Sequence, residues 1–274
     1  KYLLEKEGVD WFLARAQEKL DTLASAITLT RLDLAHTRAR TPIDRQAHIG
    51  VRPQKQFGLN YIGVALELGR LSVAQMRVLA DVADTYGDGE IRLTVWQHPL
   101  LPFIPDTAVK AACAALEAAG MQVNASSFAA GVVACTGKWG CKMAASYTKQ
   151  DALDLVRHLE QKYALDTPIN IHLTGCANSC AQHYIGDIGL MGVAAPGGGE
   201  GYNIVLGGGS DLDQGLARPL CGPVAAADIH DIIEHVIGAY LVRRSPDQTF
   251  LTFVRSLDDD QLPGLLPAAL TQAA

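Results

Sequence analysis

The sequence predicts an α+β protein, and three features carry that expectation. Residues 50–122 run in the order strand, helix, strand, strand, helix. Residues 123–274 alternate helical periodicity with short apolar runs of the kind buried strands have. The chain of 274 residues is 49% hydrophobic and 19% charged, a composition that supports a sizeable core.

The elements follow in order. Residues 1–20 have helical period, with Tyr2, Leu3, Trp11, Phe12, Leu13 and Leu20 among Glu5, Lys6, Glu7, Arg15 and Lys19. Residues 21–50 are irregular and polar and carry Arg31, Arg38, Arg40 and Arg45. We therefore expect 1–49 to be a helical lead-in and linker. Position 1 is Lys, already within a helical pattern, so the chain is expected to come from a longer one. A strand is expected over 59–68. Ser72 and Gln75 form a capping box for a helix to about Tyr86, with the apolar Val73, Met76, Leu79 and Ala83 at helical spacing. The run Tyr86-Gly87-Asp88-Gly89 stops it. A second strand is expected over 90–97, an apolar segment over 100–104, and a helix from Asp106 to about Ala119.

In the second unit, 123–274, Thr148 and Asp151 read as another capping box, opening a helix through Tyr163. Strands are expected over 168–174, 187–193 and 202–206. A long amphipathic helix is expected over 225–243, burying Ile229, Ile232, Ile233, Val236, Ile237 and Tyr240.

Charge and cysteine content narrow the function. Net charge is −6 and no Lys/Arg-rich run appears, so no nucleic-acid partner is expected. No apolar stretch reaches the length of a membrane span, and no signal peptide opens the chain. Six cysteines in a chain this long read as reduced thiols in a cytoplasmic compartment.

Four of them form a pattern. Cys135 and Cys141 lie in Cys-Thr-Gly-Lys-Trp-Gly-Cys, and Cys176 and Cys180 in Thr-Gly-Cys-Ala-Asn-Ser-Cys. Two close pairs about 35 residues apart can converge on one metal centre. Gly137, Gly140, Gly175 and Ser179 let backbone approach a bulky inorganic group, and Lys138 and Lys142 favour thiolate over thiol. Four thiolates suit zinc or an iron–sulfur cube. The five-residue gap of the first pair is wide for a zinc knuckle, which favours the cube; unligated structural cysteines are the third reading. Cys113 falls on an apolar helix face with Val109 and Leu116, and Cys221 in Leu-Cys-Gly-Pro reads as structural.

These residues resemble the sirohaem-dependent nitrite and sulfite reductase family. The match runs Thr174-Gly175-Cys176, three residues, Cys180, six residues, Asp187-Ile188-Gly189-Leu190, with Cys135 and Cys141 matching the upstream pair. It extends to 48–63 and 91–97, which resemble the family's ferredoxin-like half-domain. The wording of 52–56 and 181–186 is nearer the nitrite reductases. The resemblance implies a ferredoxin-like half-domain over 50–122 followed by a cluster- and sirohaem-binding domain over 123–274. It implies a [4Fe–4S] cluster on Cys135, Cys141, Cys176 and Cys180, with Cys180 bridging to the sirohaem iron. It further implies six-electron reduction of nitrite to ammonium, or of sulfite to sulfide, with ferredoxin or another low-potential donor.

Sirohaem carries many carboxylates and its substrates are anions, so Arg, Lys and amide donors are needed. By resemblance the strand carrying Arg92 and Thr94, with Gln97 at its end, faces the cofactor; a solvated Arg92 is the plainer reading. Lys138 and Asn178 lie in the cysteine loops and can donate to sulfides or to the haem edge, although Asn178 can equally cap its own turn. His183 reads as a structural surface residue before it reads as a proton donor. Ala177 stands where the family often has Pro, and His98-Pro99 follows Gln97 where Asn is commoner, which puts cofactor contacts there in doubt. The resemblance covers the second of two pseudo-symmetric repeats, and the substrate-gripping residues belong mainly to the first. The chain alone is therefore expected to lack turnover. A cluster-bearing enzyme of cobalamin ring synthesis and a structural zinc module are the competing readings.

Overall fold

The computed structural model describes residues 2–25, 27–30, 44–210 and 212–271. Arg31, Arg38 and Arg40 lie outside the described residues; Arg45 lies within them. The chain divides into two compact units, residues 1–41 and 42–274. In the first, helices α1 (Tyr2–Glu7) and α2 (Val9–Asp21) take up the expected helical run, parted at Gly8, whose φ of 84° suits glycine. None of the described α2 residues is buried.

The described residues of the second unit form two sheets. The first has strands β1 (Gly50–Pro53), β2 (Leu59–Gly63), β3 (Arg92–Leu93) and β4 (Pro99–Pro105) in the order β1-β2-β4-β3, all antiparallel. Helices α3 (Val73–Tyr86) and α4 (Val109–Ala118) pack with it through Leu79, Val82, Ala83, Ala112 and Leu116, against Ile62, Leu101 and Ile104. The capping box is present: Gln75 N–H donates to Ser72 Oγ at 3.1 Å, and Gln75 Oε1 accepts from Ser72 N–H at 3.0 Å.

Several local expectations need correcting. The strand expected over 59–68 ends at Gly63: Ala65 leaves the sheet to bridge Gln122, its N–H donating to Gln122 O at 2.8 Å, and Leu68 then turns into the left-handed region (φ 52°) within a short 3₁₀ turn, Glu67–Gly69. The strand expected over 90–97 pairs only at Arg92–Leu93; Thr94 then folds back, its hydroxyl donating to His98 O at 2.7 Å. Val73 and Met76 are exposed, and Val82 takes the buried place beside Leu79 and Ala83. The apolar segment 100–104 lies within a full strand, β4, which pairs on both sides.

The second sheet is mixed, in the order β5-β6-β7-β8-β9: β5 (Val132–Ala134), β6 (Ile171–Thr174), β7 (Ile188–Ala194), β8 (Glu200–Leu206) and β9 (Arg218–Ala225). Strands β5, β6 and β7 run parallel, and β8 and β9 antiparallel. A short helix α5 (Ser127–Gly131) leads into β5, and α6 (Thr148–Lys162) makes the crossover from β5 to β6. Helices α7 (Ile229–Arg243) and α8 (Phe250–Arg255) close the core, and α9 (Ala268–Thr271) lies near the end. All six residues assigned from sequence to the buried side of α7 are buried. Each such apolar side chain contributes about 1.5–3 kcal/mol relative to exposure.

Candidate functional site

Two of the four cysteines emerge from neighbouring parallel strands. Cys135 directly follows β5, and its N–H donates to Leu173 O at 3.0 Å, continuing the ladder. Cys176 lies two residues beyond β6. The carboxyl ends of parallel strands are where open α/β sheets place ligands. Cys135 and Cys176 are half-buried, and Cys141 and Cys180 exposed.

The loops carrying them are fastened to each other. Gly175 N–H donates to Cys135 Sγ at 3.1 Å, and Ala145 N–H donates to Gly175 O at 2.7 Å. A Cβ on Gly175 would lie 2.7 Å from Ala144 Cβ, so only glycine allows this approach. The 3₁₀ turn Gly137–Trp139 brings Cys141 back, its N–H bonded to Gly137 O at 3.0 Å. Gly137 has φ 62°, and a Cβ there would lie 2.6 Å from Thr148 Oγ1. In the second loop, Ser179 N–H donates to Cys176 O at 3.1 Å, and Ser179 (φ 60°) carries the chain on to Cys180.

Thr148 corrects another expectation. It is the first residue of α6, not its cap, and Tyr147 precedes the helix without a side-chain cap bond. Its hydroxyl is committed to the cysteine loop instead, donating to Cys135 O at 2.7 Å and lying 3.6 Å from Cys135 Sγ.

All six cysteines are free thiols. Burial pushes the Cys221 thiol up to about 11 and the Cys113 thiol upward, which suits both to packing. The donor geometry bears on the metal. Zinc at about 2.3 Å from each sulfur would hold four thiolates within about 4 Å of one another. Among the described residues, only His158, Asp231 and Glu234 bring three donor atoms within 4.8 Å of one another, so no three cysteine sulfurs lie that close. That arrangement does not suit a closed zinc tetrahedron, whereas thiolates that accept backbone N–H bonds, as Cys135 Sγ does from Gly175, are a donor set an iron–sulfur cube takes. The His158 group is accounted for as a contact between α6 and α7: His158 Nε2 lies 2.6 Å from Glu234 Oε2, and Lys162 Nζ 3.5 Å from the other oxygen.

The other sequence-assigned residues have mixed placements. Gln97, in the left-handed region at φ 64°, donates from Nε2 to Ala134 O at 2.9 Å, immediately before Cys135. Arg92 is exposed and pairs with Glu90 at 2.5 Å, over the ring of Phe103. Thr94 closes its own hairpin. Lys138 pairs with Glu200 at 2.9 Å and sits over Tyr147. Asn178 is exposed in the second loop. His183 is buried, contrary to the surface expectation, with Nδ1 2.8 Å from Ser179 Oγ.

Sequence reading missed a row of aromatic rings beneath the loops. His48 stacks on Trp96 (5.0 Å) and on His98 (5.5 Å), and Trp96 meets His172 edge-on (5.9 Å). His172 Nδ1–H donates to Ala181 O at 2.8 Å, supporting the residue after Cys180. Burial holds all three imidazoles below their ordinary range, His98 at about 4.

Comparison with known proteins places this architecture. Residues 52–119 match the nitrite/sulfite reductase ferredoxin-like half domain, and residues 128–248 the nitrite and sulphite reductase 4Fe-4S domain. The chain belongs to the nitrite/sulfite reductase family. A ferredoxin–nitrite reductase of Synechococcus elongatus is 38% identical over 71% of the chain and 38% of its own length. A ferredoxin sulfite reductase of Mycobacterium tuberculosis is 33% identical over 92% of the chain and 46% of its own. The solved Mycobacterium tuberculosis NirA protein superposes with a TM-score of 0.76 at 32% identity, over 96% of the chain and 48% of that structure. Dissimilatory sulfite reductase I shares the fold, with a TM-score of 0.64 at 11% identity. The chain thus spans less than half the length of the curated relatives named here. Family membership brings a [4Fe–4S] cluster and sirohaem as cofactors, and neither the zinc module nor the cobalamin-pathway enzyme is favoured. Among the described residues no helix is long and apolar enough to cross a membrane.

Proposed function

We propose that the chain forms the C-terminal, cluster-bearing half of a reductase that takes nitrite to ammonium or sulfite to sulfide, with residues 50–122 as its half-domain and 123–274 as its cofactor domain. Cys135, Cys141, Cys176 and Cys180 would hold the cluster, and Cys180 would be the cysteine on the sirohaem side. The observation that carries this reading is the joining of the two cysteine loops through Gly175, which donates to Cys135 Sγ while its carbonyl accepts from Ala145.

When bound, the cluster and the sirohaem would supply the electron-transfer chemistry that anion reduction needs. The protein's own residues orient and insulate. Gly175 N–H stabilises charge on the Cys135 sulfur. Gln97 and Asn178 are proposed contacts at the haem edge. Arg92, Thr94 and Lys138 reach the cofactor only by exchanging Glu90, His98 O and Glu200, and the two exposed ion pairs among these are screened by water. Nitrite is the proposed substrate ahead of sulfite on the wording of 52–56 and 181–186; relatives with printed activities fall on both sides. Ferredoxin, which names the donor in those relatives, is the proposed donor here, and a cytoplasmic compartment the proposed setting.

Visible absorption tests the reading. The chain reconstituted with iron, sulfide and sirohaem is expected to show a haem-like spectrum that Cys180→Ser alters. A chain that takes up neither cofactor, or a Cys180→Ser spectrum identical to the parent's, contradicts it.

A further inference from the structure

Lys149 follows Thr148 on the first turn of α6, behind the Cys135 loop, and the cluster reading gives it no role. Its Nζ donates to Leu68 O at 2.5 Å and to Gln97 Oε1 at 3.1 Å. Both acceptors belong to residues near the first sheet, and both residues are non-glycine in the left-handed region, Leu68 at φ 52° and Gln97 at φ 64°. Such backbone is costly and persists where surroundings hold it. Gln97 in turn donates to Ala134 O. One ammonium thus ties two strained corners to the strand end that presents Cys135.

The same ammonium is also a charge. Lys149 is half-buried; burial first and the neighbouring Arg70 cation second depress its pKa, and the Cys135 sulfur acts more weakly in the opposite sense. The ammonium stands two hydrogen bonds from the Cys135 backbone, through Gln97 and Ala134 O, in a poorly solvated place where charges act more strongly than in water. Among the described residues both acceptors of Lys149 are neutral oxygens, and no carboxylate pairs with it.

We propose that Lys149 is a positioning and potential-setting residue: its cation fixes Gln97 and Leu68 and makes the cluster on the adjacent cysteines easier to reduce. The inference rests on the cluster reading. A reduced cluster carries one more negative charge, and a fixed cation nearby favours that state.

The test is a one-electron redox titration of the reconstituted 274-residue chain with dithionite, followed by the EPR signal of the reduced cluster. Lys149→Met and Lys149→Gln are expected to weaken electron affinity about tenfold, a shift of about 59 mV to lower potential. Lys149→Arg is expected to stay near the parent. Loss of thermal stability with an unmoved potential in either neutral variant overturns the proposal, since a purely structural lysine gives that result. If Lys149→Met does not fold, Lys149→Gln, which retains an amide donor for one acceptor, decides alone. Failure of the parent chain to assemble any cluster overturns the cluster reading instead, and the two failures are thereby distinct.

Discussion

Replacing Asp187 with alanine is expected to destabilise the protein by about 4 kcal/mol. The side chain is fully buried, and its Oδ2 accepts from Arg45 at 2.8 Å and from Asn170 N–H at 2.7 Å. Burial pushes the carboxyl upward, while Arg45 and the Asn170 N–H pull it back. Removing it leaves a largely buried guanidinium unpaired and a buried amide unbonded. Breaking a buried pair costs about 3–5 kcal/mol, and an unsatisfied buried amide about 1–3. Arg45 retains some access to water, which keeps the total below the sum. Asp187 immediately precedes β7, and Asn170 immediately precedes β6, whose far end leads to Cys176. The damage therefore reaches the site. Urea unfolding measures it; a loss below about 1 kcal/mol contradicts the structural role assigned to Asp187.

Acid is expected to unfold the protein through its buried histidines. His98 is held near pKa 4, mainly by burial and next by the neighbouring His48, against 6.5 when exposed. A depressed folded-state value means that the unfolded chain takes up the proton first as pH falls. The contribution is complete above about pH 6.5 and is lost progressively down to about pH 4. Its size is about 3 kcal/mol. His48 and His172 are shifted the same way and add to it. Leu66 N–H donates to His98 Nδ1 at 3.1 Å, so His98→Asn can retain an acceptor while removing the titration. Stability measured from pH 7 to pH 4 should fall less steeply in that variant. Equal slopes in variant and parent contradict the account.

How much of this was legible in the sequence depended on whether a signal was local. The cap of α3 and the buried side of α7 are local patterns, and both formed as read. Strand β4 was not legible, because three prolines interrupt it. The structure accommodates them with a bulge: Asn60 faces Ile104 and Ile62 faces Leu101, so Pro102 and Phe103 together oppose Tyr61. Strand β9 carries Pro219 and Pro223 and lies at a sheet edge, where proline is tolerated. Strand β5 is three residues long and is defined only by its pairing with β6. At the site, the cysteine spacing was readable, but the partners were not. Thr148 looked like a cap because its sequence neighbours fit one; its hydroxyl goes to Cys135 O, 13 positions away. Lys149 and the His48–Trp96–His98–His172 row are assembled from distant segments, and no periodicity announces them.

The central claim is that the loops at 135–141 and 176–180 hold one iron–sulfur cube between them. Iron and acid-labile sulfide counted per chain after anaerobic reconstitution test it most directly. About four of each are expected in the parent, falling sharply in Cys135→Ser, Cys141→Ser and Cys176→Ser. Stoichiometric zinc with no sulfide, or counts unchanged in those variants, contradicts it.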